Sequence, residues 1–255
     1  MILEIHNAPG TIQFDSTQGV DLSIPVSFNN SIRAFNAAAP SKKTYEVDGY
    51  VGCVERGGSS NCDVVEFIPH CHGTHTECIG HITQKQTSVR EALEENIFLT
   101  KLVTIDCTHS MEITSSAIAQ VGDLSGATAL IIRTLPNDIS KKNRSYSDKS
   151  PYFSPEAIDW ISRKEISHLL FDSPSIDPMW DEGKMRAHRH FWNVEPGQTQ
   201  PSIASYLHKT VTELLFIPSH VQDGFYVLDL QVSNFELDAA PSRPIIYPIL
   251  SWRAS

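Results

Sequence analysis

Apolar positions along the chain fall into short blocks whose spacing is more often that of strands than of helices. Residues 127–134 (ATALIIRT) form an apolar, partly β-branched run, which predicts a strand covered on both faces. Residues 166–171 repeat that pattern, and 98–105, 211–217, 225–232 and 245–250 read as further strands. The first fifty residues predict short strands at 2–6, 11–14 and 20–26, interrupted by Pro9-Gly10 and by the polar stretch around Asn29-Asn30. Four segments read as helical. Ser88-Val89-Arg90-Glu91 has the form of a capping box, and 115–121 predicts a short helix. Ser154 caps a helix with Pro155 at its first position and Ala157, Ile158, Trp160 and Ile161 on its apolar side. A fourth helix is expected over 181–191. Residues 53–63 (CVERGGSSNCD) predict a loop ahead of a strand at 64–68, and 193–208 reads as a surface insertion. Strands alternating with helices, without linker or repeat, predict one mixed α/β domain over residues 1–255.

Composition narrows the function classes. Thirty acidic against 20 basic residues give a net charge of −10, and no basic stripe offers a footprint for nucleic acid or an anionic membrane. Apolar runs such as Ala129-Leu130-Ile131-Ile132 fall far short of the roughly 18 residues of a membrane span. The opening MILEIHNAPG lacks the basic flank and apolar core of a secretion signal, and five cysteines is an odd number. Reduced thiols and a cytoplasmic location are the expectation.

Histidine is where the composition becomes chemical. Four of the 11 histidines lie within the twelve residues His70–His81 (HCHGTHTECIGH), together with Cys71, Glu77 and Cys78. Imidazole, thiolate and carboxylate form the ligand set of a borderline-soft divalent metal. His75 and Glu77 are two apart, so in an extended segment both project to one side. Gly73 permits a bend that would bring Cys71 towards His75. Thiol catalysis by Cys71 beside a histidine is the weaker alternative. Elsewhere, His188 on a helix and Glu213 in a strand read, taken alone, as ordinary core or surface positions. His6, His109, His168, His190, His208 and His220 read as structural, and Cys53, Cys62 and Cys107 as buried thiols.

The window Cys71-His72-Gly73-Thr74-His75-Thr76-Glu77-Cys78-Ile79-Gly80-His81 resembles the His-x-Gly-Thr-His-x-Asp-x-Pro-x-His signature of the cyclase family of metal-dependent hydrolases, which includes kynurenine formamidases and isatin hydrolases. The likeness continues through Asp21-Leu22-Ser23, Ala129–Thr134, Phe171–Asp177, Ala187-His188-Arg189, Glu213-Leu214-Leu215 and Ala240–Pro244, in the family's order, leaving residues 1–19 as an N-terminal extension. The resemblance implies a swivelling β/β/α fold with a mixed sheet. It implies a first metal site of Cys71, His75 and Glu77, and a second that shares Glu77 and adds His188 and Glu213. His81 falls at the family's general acid/base position. One or two Zn²⁺ ions are implied, with Mn²⁺ as the alternative. Three positions depart from the signature: Cys71 stands for histidine, Glu77 for aspartate and Ile79 for proline. Cys71 would favour zinc, while His70 or His72 could take its place.

The implied activity is hydrolysis of an amide-type or cyclic C–N bond of a small molecule, with a metal-activated water and His81 as general acid/base. Rival readings are a non-catalytic metal-binding or regulatory protein of the same fold, and a metal-dependent lyase or dehydratase. A homodimer or homotetramer is implied, and Phe35, Tyr50, Trp180, Phe191 and Trp192 are candidates for lining an aromatic pocket.

Overall fold

The run Ala129–Leu135 shows how the sheet is built: Leu130 and Ile132 enter one apolar cluster while Ala129 and Ile131 enter another on the opposite face. The computed structural model describes residues 1–6, 10–84 and 87–254. Ten strands form the main sheet: β1 (Ile2–Ile5), β2 (Gly10–Asp15), β3 (Val20–Asp21), β4 (His75–Cys78), β5 (Ile97–Asp106), β6 (Ala129–Leu135), β7 (His168–Phe171), β8 (Thr210–Glu213), β9 (Gly224–Val232) and β10 (Ala239–Ala254). Their order is β1-β2-β10-β9-β5-β6-β7-β8-β4, with β3 also pairing with β10. β5, β6, β7 and β8 run parallel and the remaining pairings are antiparallel. The first residues of β10 pair with β4, so the long last strand closes the sheet on itself.

One cluster fills the enclosed side, where Leu22, Leu102, Ala129, Ile131, Leu170, Leu228 and Ile246 meet. The other lies beneath helices α2 (Ser115–Ile118), α3 (Pro155–Ser162) and α4 (Arg186–Trp192), which contact one another in series, while α1 (Val89–Ala92) packs against β4. Ile158 and Ile161 of α3 and Phe191 and Trp192 of α4 bury against Leu130, Ile132 and Phe171 there. Both faces of the parallel strands are therefore covered, which is why they read as continuous apolar runs.

This is the mixed α/β architecture expected, with local differences. The capping box at Ser88 and Glu91 forms with both of its hydrogen bonds. The strand expected over 20–26 ends at Asp21, whose carboxylate accepts from Ser23 N–H and turns the chain ahead of Pro25. The helix expected over 181–191 starts only at Arg186, because Asp181 caps a turn through the N–H groups of Gly183 and Met185. The strand expected at 64–68 is Asp63–Glu66, paired with Ser41–Thr44 in a separate two-stranded ribbon. The centre of the histidine window is a fully buried strand, β4.

Candidate metal centre

The site grows out of strand register. His75 and Glu77 alternate with Thr76 along β4 and so project to one face. Glu213, the last residue of β8, lies directly opposite His75 in the antiparallel pair β8·β4. A cross-strand neighbour on the same face brings its side chain beside its partner, and His75 Nε2 lies 3.6 Å from Glu213 Oε2. His188 enters from α4, its Nε2 2.7 Å from Glu77 Oε1 and 3.7 Å from Glu213 Oε1. All four side chains are buried.

Two further histidines sit on the 3-10 turns that flank β4. His70 belongs to the turn Pro69–Cys71 and His81 to the turn Ile79–Ile82. Their rings stack with centroids 4.4 Å apart, and His81 Nε2 is 3.8 Å from Glu77 Oε2. His81 is about a quarter exposed (27%) and His70 nearly as much, so the stacked pair stands at the rim of the buried site.

The backbone around these residues is tied down. Gly73 has φ +105°, and a Cβ there would fall 2.7 Å from Ile24 O, so the bend into β4 requires glycine. Thr74 Oγ1 donates to Leu214 O and accepts from Ile24 N–H, joining β4 to the residue after Glu213. Leu214 itself adopts a positive φ of 56°, an uncommon conformation for a non-glycine residue that clusters at functional sites. Ile176 N–H donates to Glu213 Oε1 at 2.8 Å and fixes the orientation of that carboxylate.

Electrostatics separate the two acids. Burial raises the Glu213 carboxyl to about 8, and the adjacent negative charge of Glu77 acts in the same direction. Burial also opposes ionisation of Glu77, but the positive charges of His81 and His188 and the hydrogen bond from His188 outweigh it and hold Glu77 well below the usual carboxylate range. Burial lowers His75 to about 4, leaving a neutral imidazole. His188 is raised because the charge of Glu77 and the contacts with Asp177 and Glu77 overcome burial.

Neutral His75 has a buried Nε2 with no hydrogen-bond partner, and it faces Glu77 and Glu213. A buried, unpaired acceptor beside two carboxylates, one of which resists ionisation, is a donor set that suits a divalent cation. The described residues contain two sets of ligand atoms close enough to share an ion, His75–Glu77–Glu213 and His70–Glu77–His81, with Glu77 common to both.

Of the residues singled out in the sequence, His75, Glu77, His81, His188 and Glu213 are brought together. Cys71 belongs to neither ligand group; it is buried, and burial pushes its thiol up to about 11. The 3-10 turn at Pro69–Cys71 places its neighbour His70 on the site instead. His72 points elsewhere, accepting from Ile68 N–H at Nδ1 and contacting Ala38 O through Nε2. Phe191 and Trp192 are core side chains and not a pocket lining, although the Trp192 ring lies 5.3 Å from that of His188.

Two carboxylates were not singled out. Asp177 Oδ2 lies 2.6 Å from His188 Nδ1, and the Asp177 carboxylate also accepts the N–H groups of Ala187 and His188. A carboxylate behind a ligating histidine fixes its tautomer and ring orientation. Asp238, just ahead of β10, lies 3.0 Å from His70 Nε2 and 3.2 Å from His81 Nδ1 through the same oxygen. These two contacts hold Asp238 well below the usual carboxylate range.

A closed mixed sheet with paired carboxylates and histidines at the end of its parallel strands defines a metal-centre class of α/β protein. The chain belongs to the Cyclase family, whose profile matches residues 20–178. It is 28% identical over 236 residues to the kynurenine formamidase of Bacillus cytotoxicus, covering 92% of this chain and 99% of that protein. It is 24% identical over 235 residues to the kynurenine formamidase of Bacillus anthracis, with the same coverage. Among solved structures, a potential metal-dependent hydrolase with cyclase activity superposes with a TM-score of 0.63 at 16% identity, over 90% of this chain and 98% of that one. Isatin hydrolase A from Labrenzia aggregata superposes with a TM-score of 0.61 at 17% identity, over 90% and 93% of the two chains. These likenesses extend the fold to nearly the whole chain.

Proposed function

We infer that the protein is a metal-dependent hydrolase of a non-peptide C–N bond, an amide-type or cyclic amide substrate of small size. The observation that carries this reading is the buried meeting of His75, Glu77, His188 and Glu213, with unpaired His75 Nε2 at its centre and His81 at its rim. Kinship to kynurenine formamidases over nearly the full length of both chains supports the same bond class.

In this reading His75 Nε2, His188 Nε2 and the carboxylates of Glu77 and Glu213 would hold the ion. When bound, a divalent cation there supplies Lewis-acid polarisation and lowers the pKa of water. The donor set is imidazole and carboxylate without thiolate, which suits Zn²⁺ and Mn²⁺ alike and removes the preference for zinc that Cys71 carried. Asp177 occupies Nδ1 of His188 and so directs Nε2 towards Glu77 and the centre. His81 takes the proton of the attacking water on Nε2 and delivers it to the leaving nitrogen as the C–N bond breaks.

The test is hydrolysis of the formamide of kynurenine and of isatin by protein loaded with Zn²⁺ or Mn²⁺, each with and without chelator. The reading predicts metal-dependent turnover of at least one such amide. Metal-loaded protein that leaves both substrates and simple aryl formamides intact would overturn it.

A further inference from the structure

We propose that Asp238 is a positioning residue that selects the working nitrogen of His81. The proposal rests on the hydrolase reading above. Its basis is the way His81 is held between two acids. Asp238 Oδ2 lies 3.2 Å from Nδ1, on the side away from the centre, while Nε2 faces Glu77 Oε2 at 3.8 Å. A carboxylate is an acceptor only, so Nδ1 must carry the proton in that contact. In the neutral imidazole Nε2 is then left with its lone pair directed at the site, the form a general base requires.

The placement of Asp238 is built by the backbone. Its carbonyl accepts from Cys78 N–H, anchoring the start of β10 to the end of β4. Gly80, one residue before His81, leaves room for it: a Cβ at that position would fall 3.1 Å from Asp238 Cβ and 2.1 Å from Thr87 O. The stacked His70 ring supports the arrangement from the other side, with Nε2 3.0 Å from the same Asp238 oxygen though poorly aligned for a hydrogen bond. Asp238 therefore braces both rings of the stack, with its hydrogen bond to Nδ1 orienting His81. Its carboxylate acts on the reaction through His81.

The experiment compares full-length, zinc-loaded wild type with Asp238→Asn and Asp238→Ala. Asp238 is about one-third exposed, so truncation opens no buried cavity, and the near-isosteric asparagine serves as the second variant. Three quantities are read: steady-state kinetics, zinc per chain, and the His81 tautomer from two-bond ¹H–¹⁵N spectra, assigned by the resonances lost in His81→Gln. The expected result is a fall in kcat of about 10²-fold or more, with KM and zinc content close to wild type. The His81 ring should show Nδ1–H in wild type and lose that preference in Asp238→Ala. In a His81→Ala background, Asp238→Ala should add no further loss. An unchanged tautomer with kcat within about twofold of wild type overturns the proposal, as does loss of zinc in proportion to loss of activity. If the wild type turns over no amide, the hydrolase reading fails while the tautomer comparison still decides the role of Asp238.

Discussion

Lys141→Met should be among the most damaging single changes outside the metal centre. Lys141 Nζ is buried and donates to Asp172 Oδ2 at 2.8 Å and to the carbonyl and hydroxyl oxygens of Thr134, each at 2.9 Å. Asp172 is fully enclosed; its other contacts are the N–H and hydroxyl of Thr134, and burial pushes its carboxyl upward even with the lysine present. Removing the ammonium leaves a buried carboxylate without a countercharge, which costs about 3–5 kcal/mol. For a chain of this size the loss corresponds to a fall in Tm on the order of 10 °C. Asp172 also begins the segment that carries Ile176 to Glu213 and Asp177 to His188, so the damage should reach the metal centre. Urea and thermal unfolding of Lys141→Met, Asp172→Asn and the double variant measure the coupling. The double variant should recover more than half of the single-variant loss, since it removes both charges together. A Lys141→Met protein within about 1 kcal/mol of wild type would show that Asp172 does not depend on the lysine for its countercharge.

Four further outcomes follow from the same structure. His81→Ala should abolish turnover while metal per chain, read by elemental analysis, stays at the wild-type value; equal loss of both would place His81 among the ligands. Cys71→Ser should keep its metal, whereas Glu213→Ala should lose it, because only Glu213 shares the buried group of His75 and Glu77. His168 is lowered to about 3 by burial, with Nδ1 at 2.8 Å from Thr210 Oγ1, so it is neutral when folded and takes up a proton on unfolding. Its contribution to stability is complete above about pH 6.5 and declines by up to about 1.4 kcal/mol per pH unit as pH falls towards 3; His168→Gln should flatten that slope in urea titrations. Gly73→Ala should destabilise by more than about 1 kcal/mol, since its φ of +105° and the 2.7 Å approach to Ile24 O leave no room for a methyl group.

Much of this fold can be read from the sequence wherever one local signal decides the outcome. The doubly covered strand at Ala129–Leu135 announces itself by an unbroken apolar run, and the Ser88 and Ser154 caps by chemistry confined to one turn. Within the site, His75 and Glu77 are legible because a strand's period of two puts them on one face. His188 and Glu213 have no such local mark. They reach the site through β8·β4 register and the docking of α4, and family resemblance alone singled them out. The choice between Cys71 and His70 turns on the direction of one 3-10 turn, which spacing cannot specify. Asp177 and Asp238 lie in polar segments with unremarkable composition, and Asp238 is 157 residues from His81, so their roles exist only in the folded chain. The strands that ended early, at Asp21 and at Glu66, did so where a side-chain cap or separate ribbon pairing competed with the main sheet.

An ion held at Glu77 is the central requirement of the proposed chemistry. Crystals of the protein soaked in zinc, with data collected on both sides of the zinc absorption edge, test it directly. The expected result is an anomalous peak within about 2.0–2.3 Å of His75 Nε2, His188 Nε2 and the Glu77 and Glu213 carboxylates, with Cys71 outside the coordination sphere. A peak bound by Cys71 but not by Glu213, or no peak beside Glu77 at saturating zinc, would contradict it.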